Sequence, residues 1–326
     1  MNFNGVCDYI NKKFPIRFKR TQKDAFAVYL SRLFTHCGYE EGDISIIKMN
    51  DSVENNNIII GDLEKAEYIV TSHYDTPGKI GFLLAGAKYI GKALSWLVVF
   101  LLILALALTF VIVLTNNVPD LNYITKFLYC FGWLVALVVF GFVIPALCAN
   151  KNNHNTSSGL FTVISMAEKI AADKELKDKV CFILFDNSEW GSLGASALVK
   201  WCKKKAYNLS NKKVICLEYL GNGEELTLCT SDKKNAVNLT LDELSSAFTE
   251  MDVQYSKLNS STFFIGDNTQ FKNSVMITKL SRSRLKTLYI PFLATNKDTV
   301  CDYDSLKELG AKLCNILAGK ASADCE

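Results

Sequence analysis

Val180–Phe185, VCFILF, running on into Asp186–Ala195, DNSEWGSLGA, decides the fold. Six consecutive apolar residues ending in a polar turn read as a strand covered on both faces, because a strand with one wet face would alternate. Such a strand needs helices above and below it. Outward from it, Gly159–Ala172 is an amphipathic helix on the N-terminal side and Gly194–Lys205 a helix on the C-terminal side. Ala66–Ser72 (AEYIVTS) is a second buried strand and ends in His73-Tyr74-Asp75. Val214–Glu218 and Glu225–Cys229 are further strands, Leu241–Met251 and Ser305–Ala318 helices, and Leu288–Pro291 leads into a loop. Near the N-terminus, Ala25–Phe34 has helical spacing, while Ser45–Met49 and Asn57–Ile60 flank an Asn-rich turn. Strands alternating with helices predict an α/β three-layer sandwich with a mostly parallel central sheet. His73, Asp75, Ser188, Glu189 and Glu218 all fall at or just after strand ends, where ligands bind in such sheets.

Two stretches break the alternation. Leu97–Leu114 has one polar member, Thr109, and Phe127–Leu147 carries no charge. At 1.5 Å per residue each would reach about 27–32 Å, close to the hydrocarbon thickness of a bilayer. Trp96, Tyr123, Tyr129 and Trp133 sit where an interfacial belt would, and Asn116, Asn117, Pro119 and Asp120 supply a turn. These features predict a two-helix transmembrane hairpin inserted at 94–148. The α/β domain is then divided into a first part, 1–93, and a remainder, 149–326. Lys79, Lys88, Lys92 and Lys151 flank the hairpin, so both termini and the main domain are expected in the cytoplasm, with the lipid bilayer as a partner.

Composition narrows the rest. The chain has 326 residues, a net charge of +3 and well-mixed charges, with no basic stripe, so nucleic acid is not an expected partner. Its mean hydropathy of +0.14 is high for a soluble protein, and the excess is concentrated in the two apolar stretches. Eleven cysteines without metal-finger spacing read as free, mostly buried thiols of a reducing compartment. The polar N-terminus, with five basic residues between Lys12 and Arg20, has no signal-peptide core. The run Lys203–Lys205 reads as a solvated helix end, and GSLGAS (Gly191–Ser196) as a helix start.

His-x-Asp at a strand end can present an imidazole to a metal while the carboxylate fixes its tautomer. SHYDTPG (Ser72–Gly78), NTSSG (Asn155–Gly159), FDNSEWGSLGA (Phe185–Ala195), LEYLGNG (Leu217–Gly223) and ATNKDT (Ala294–Thr299) occur in this order. In order and spacing they resemble the signature segments of the di-zinc aminopeptidases, metallopeptidase family 28, over nearly the whole chain apart from the hairpin. The resemblance implies a zinc ligand at His73 with Asp75 orienting it, a ligand at Glu189, and a ligand at Glu218 where the family usually has Asp. It also exposes departures. The bridging Asp is replaced by Asn155 (His154 under a one-residue shift), the general-base Glu by Ser188, and the last His ligand by Ala294. A neutral amide cannot neutralise two cations, a serine hydroxyl has no useful basicity near pH 7, and a methyl binds no metal. One ion gathered by His73, Glu189, Glu218 or His154 is the most the set could hold, so bound zinc is expected to be weak or absent. The expectation is a membrane-anchored, metallopeptidase-like pseudoenzyme that binds a peptide or protein ligand or acts as a scaffold. The alternative is an active zinc aminopeptidase with an altered metal site.

Overall fold

The structure is a computed structural model of the chain. It describes residues 1–50, 54–78, 149–230, 239–251, 253–259, 266–283 and 288–320, with isolated positions between 107 and 135. The helices are α1 (Phe3–Lys13), α2 (Arg20–His36), α3 (His154–Ala172), α4 (Lys174–Lys179), α5 (Leu193–Lys204), α6 (Leu239–Glu250) and α7 (Tyr303–Leu317). The strands are β1 (Ile44–Asn50), β2 (Glu54–Ile60), β3 (Tyr68–His73), β4 (Val180–Phe185), β5 (Lys213–Leu217), β6 (Glu225–Thr230), β7 (Tyr255–Asn259), β8 (Ser274–Arg282) and β9 (Leu288–Tyr289). They form one sheet in the order β1-β2-β4-β3-β5-β8-β6-β7, with β9 on β8.

The expectation of a mostly parallel sheet is corrected to a mixed one. β4, β3, β5 and β8 run parallel in the centre, whereas β1–β2, β2–β4, β6–β8 and β8–β9 are antiparallel. Only three residues separate β1 from β2, too few for the crossover that parallel strands require. β3, before residues 79–148, pairs with β4 and β5 after them, so the two parts of the chain share one sheet.

β4 shows why its sequence is continuously apolar. Val180, Phe182 and Leu184 join the core on one face, with Phe26, Leu30 and Phe34 of α2, Phe161 and Ile164 of α3, and Leu313 of α7. Cys181, Ile183 and Phe185 join the other core, with Ala195, Leu198 and Cys202 of α5. α3 lies very close to the sheet. A Cβ at Gly159 would stand 1.9 Å from the Leu217 carbonyl oxygen, so only glycine permits this approach. The eight described cysteines are free thiols, and all but Cys301 are buried.

The expected spanning segments at 94–148 lie outside the described residues, apart from a few isolated positions. Among the described residues no helix is long and apolar enough to cross a membrane. α3, the longest at 19 residues, opens on His154-Asn155-Thr156-Ser157-Ser158, carries Glu168 and Lys169, and buries its apolar side on the sheet. The two-span membrane placement, with its cytoplasmic orientation, is therefore corrected, and no membrane role is carried further.

Candidate functional site

Three parallel strands deliver the candidate residues to one edge. His73 ends β3 opposite Phe185, the end of β4, and Thr71 pairs with Cys216, which sets His73 level with Glu218 just beyond β5. After β4 the chain turns sharply. Asn187 (φ 52), Gly191 (φ 92) and Ser192 (φ 60) are left-handed and enclose the short 3-10 turn Ser188–Trp190. α5 begins close against that end: a Cβ at Gly194 would lie 2.2 Å from the Asp186 carbonyl oxygen. The turn is pinned by buried Asp186, which takes an ion pair from Lys23 at 2.6 Å and one from Arg20 at 2.8 Å. Asp186 is thus a structural anchor, tying α2 to the end of the sheet.

Inside this edge the side chains converge on His73, which is 1% exposed. Its Nδ1 faces Asp75, 3.3 Å from the backbone oxygen and 3.4 Å from Oδ1. Asp75 in turn accepts from the backbone N–H groups of Ser188 and Glu189, each at 3.3 Å. Nε2 of His73 is 3.8 Å from Glu189 Oε1 and makes no hydrogen bond among the described residues. Burial alone would lower the His73 pKa, but the hydrogen bond to Asp75 and the charges of Glu189, Asp75 and Glu218 outweigh it and push it up to about 10. The imidazole is therefore held as a cation among carboxylates.

Two participants carried no sequence signal. Asp267, on the turn before β8, accepts the Ser188 hydroxyl at 2.5 Å, and its backbone N–H donates to Glu218 Oε1 at 3.0 Å. Its other carboxylate oxygen is buried, with no hydrogen-bond partner among the described residues. Burial pushes the carboxyls of Glu218 and Asp267 above the usual range; the charge of Asp267 adds to the shift of Glu218, and that of Asp75 to the shift of Asp267. Tyr219, fully buried, donates its hydroxyl to Glu189 Oε1 at 2.6 Å and sets its ring 5.9 Å from that of His73. Asp267 lies 49 residues after Glu218, and only the packing of the loop before β8 brings them together.

The remaining candidates have other employment. The Asn155 Oδ1 accepts from the backbone N–H of Gly221 (2.9 Å) and of Asn222 (3.2 Å), and its Nδ2 donates to the Pro291 carbonyl (3.2 Å). Asn155 thus clamps two loops to the start of α3. Asp298 accepts the Asn155 backbone N–H at 2.7 Å, and burial pushes its carboxyl up to about 7. Ala294, left-handed at φ 51, packs in an apolar cluster with Tyr219, Leu280, Ile290 and Leu293. His154 opens α3; burial lowers its pKa, and its charged neighbour is Asp8 of α1.

These donors do not fit a two-zinc centre. Under the resemblance the bridging position falls to Asn155, whose amide oxygen and nitrogen are both engaged with backbone, or to His154 under a one-residue shift. The resemblance sets the last histidine at Ala294, a buried methyl. Among the described residues no three His, Cys, Asp or Glu side chains are grouped so as to hold a metal. Nε2 of His73 and one carboxylate oxygen each of Asp267 and Asp298 are buried without a hydrogen-bond partner among the described residues.

The sequence model of Peptidase family M28 matches residues 155–312. No curated relative matches the sequence. Among solved structures the fold resembles the LapA aminopeptidase of Legionella pneumophila, at 13% identity and a TM-score of 0.58, covering 100% of this chain and 72% of that one. A Zn-dependent exopeptidase from Parabacteroides distasonis is similar at 13% identity and a TM-score of 0.58, with 97% of each chain covered. A glutaminyl cyclase from Porphyromonas gingivalis is similar at 13% identity and a TM-score of 0.56, covering 98% of this chain and 99% of that one. At such identities the likeness is one of fold.

Proposed function

We propose that this chain carries a Peptidase M28-type α/β domain that binds a peptide or protein ligand and does not hydrolyse it. One observation carries the reading: Asn155, at the bridging position, spends both ends of its side chain on backbone groups. Ser188 adds to it. Its hydroxyl donates to Asp267, and a hydroxyl in the general-base position would by itself lower a rate by about 10²–10⁴. A ligand-binding role is supported by the depression of about 490 Å³ beside the closed edge, lined by Tyr289, Pro291, Phe292, Thr295, Asn296 and Lys297. Phe292 is left-handed and 44% exposed there, an apolar side chain held outward.

The fold neighbours include both aminopeptidases and glutaminyl cyclases, so fold alone does not choose a chemistry. The test is to incubate the purified full chain, with and without added zinc, with a peptide panel. Release of N-terminal residues and cyclisation of N-terminal glutamine are both followed. No zinc-dependent turnover is expected in either assay; turnover in either one overturns the reading.

A further inference from the structure

Tyr219 follows Glu218 with a left-handed backbone, φ 53, a conformation unusual for a bulky residue and one that its surroundings must enforce. The enforced side chain reaches across the site. One end of it packs in the apolar cluster that contains Ala294, and the hydroxyl at the other end bonds Glu189 Oε1 at 2.6 Å. The ring stands beside His73 and is 2% exposed.

We propose that Tyr219 is a plug that closes this edge of the sheet against a metal ion. Its hydroxyl ties up the Glu189 oxygen that faces His73, and its side chain belongs to the same apolar cluster as residue 294. A cation entering there would have to displace a short hydrogen bond and a packed ring. The small side chain at Ala294 is the complement of that ring, so the loss of a donor at 294 and the presence of a phenol at 219 form one packing solution. An imidazole at 294 would enter the volume the phenol fills. Restoring ligands without removing the plug should therefore fail. The proposal rests on the reading that the native chain does not work through zinc.

The experiment compares the full-length wild-type chain, Ala294→His, Tyr219→Leu, and the double variant Ala294→His/Tyr219→Leu. Zinc binding is read by titration calorimetry and by metal content after gel filtration, and folding by circular dichroism and thermal melting. Ala294→His alone is expected to gain no zinc. The double variant should retain close to one ion per chain, with affinity at least about tenfold above that of Ala294→His. Equal zinc affinity in the two overturns the plug alone, as does a folded double variant that stays free of zinc; Tyr219→Met serves should the leucine variant not fold. Stoichiometric zinc on the wild-type chain overturns both the plug and the functional reading.

Discussion

Asn155→Asp writes a carboxylate into the position where a bridging one would stand, and it should weaken the protein. The side chain is fully buried. Losing its N–H leaves the Pro291 carbonyl facing a carboxylate instead of a donor, a cost of about 1–3 kcal/mol for a buried unsatisfied group. Against that, a charged oxygen strengthens the bonds from Gly221 and Asn222 and suits the start of α3, a gain of about 1 kcal/mol. Desolvation adds several kcal/mol for an isolated ion, reduced where the group takes up a proton, and Asp298 already sits against the Asn155 backbone. The net is a loss of about 2–4 kcal/mol. With a urea slope near 3 kcal/mol/M for a chain of this size, the midpoint should fall by roughly 1 M. Urea unfolding with and without zinc measures it, because an ion at a hundred times its Kd would return about 2.7 kcal/mol. A neutral substitution, or zinc-dependent recovery of that size, would refute the argument that Asn155 is a clamp.

Further outcomes follow from other groups. Asp298 has its pKa raised on folding, so its contribution to stability is complete below the ordinary carboxylate value and is lost as pH rises through about 7. Asp298→Asn should flatten the pH dependence of the unfolding free energy between about pH 4 and 7; an unchanged slope in urea melts across that range would remove Asp298 as its source. Arg17 is fully buried and donates to the carbonyls of Tyr74 (2.6 Å) and Phe14 (2.8 Å) and to the Ser157 hydroxyl (2.5 Å), with its guanidinium over Phe26. Arg17→Met keeps the apolar stem but strands those acceptors, and should cost at least about 3 kcal/mol. Calorimetry should then show a melting temperature lower by roughly 6–12 °C, and a drop of only a degree or two would mean the acceptors find other donors.

Much of this was legible along the chain. VCFILF declared a doubly covered strand, and the structure divides its residues alternately between two cores. The strand-end positions of His73, Glu189 and Glu218 could be read because the polypeptide leaves a parallel sheet at fixed points. Other elements were silent. α1 lies in a polar N-terminus and buries only Phe3, Cys7 and Ile10, too sparse a pattern to register. β8, a central strand, carries Thr278 and Lys279 amid its apolar residues, which breaks the continuous apolar run that marks a doubly covered strand. Part of the mixed direction of the sheet depends on which strand β6 pairs with, and β6 pairs antiparallel with β8 rather than with β5, its predecessor in the chain.

The amino-acid order by itself determined the α/β class, the strand ends that carry the candidate side chains, and the absence of donors at 155, 188 and 294, since those are matters of residue type and local periodicity. Tertiary structure alone decided what the side chains around these positions touch. Asp267 approaches Ser188 and Glu218, Asn155 grips three backbone groups, and the Tyr219 phenol reaches Glu189, through contacts spanning 30 to 136 residues. Buried polar atoms must find partners somewhere, and only the folded arrangement of loops fixes which atoms are within reach.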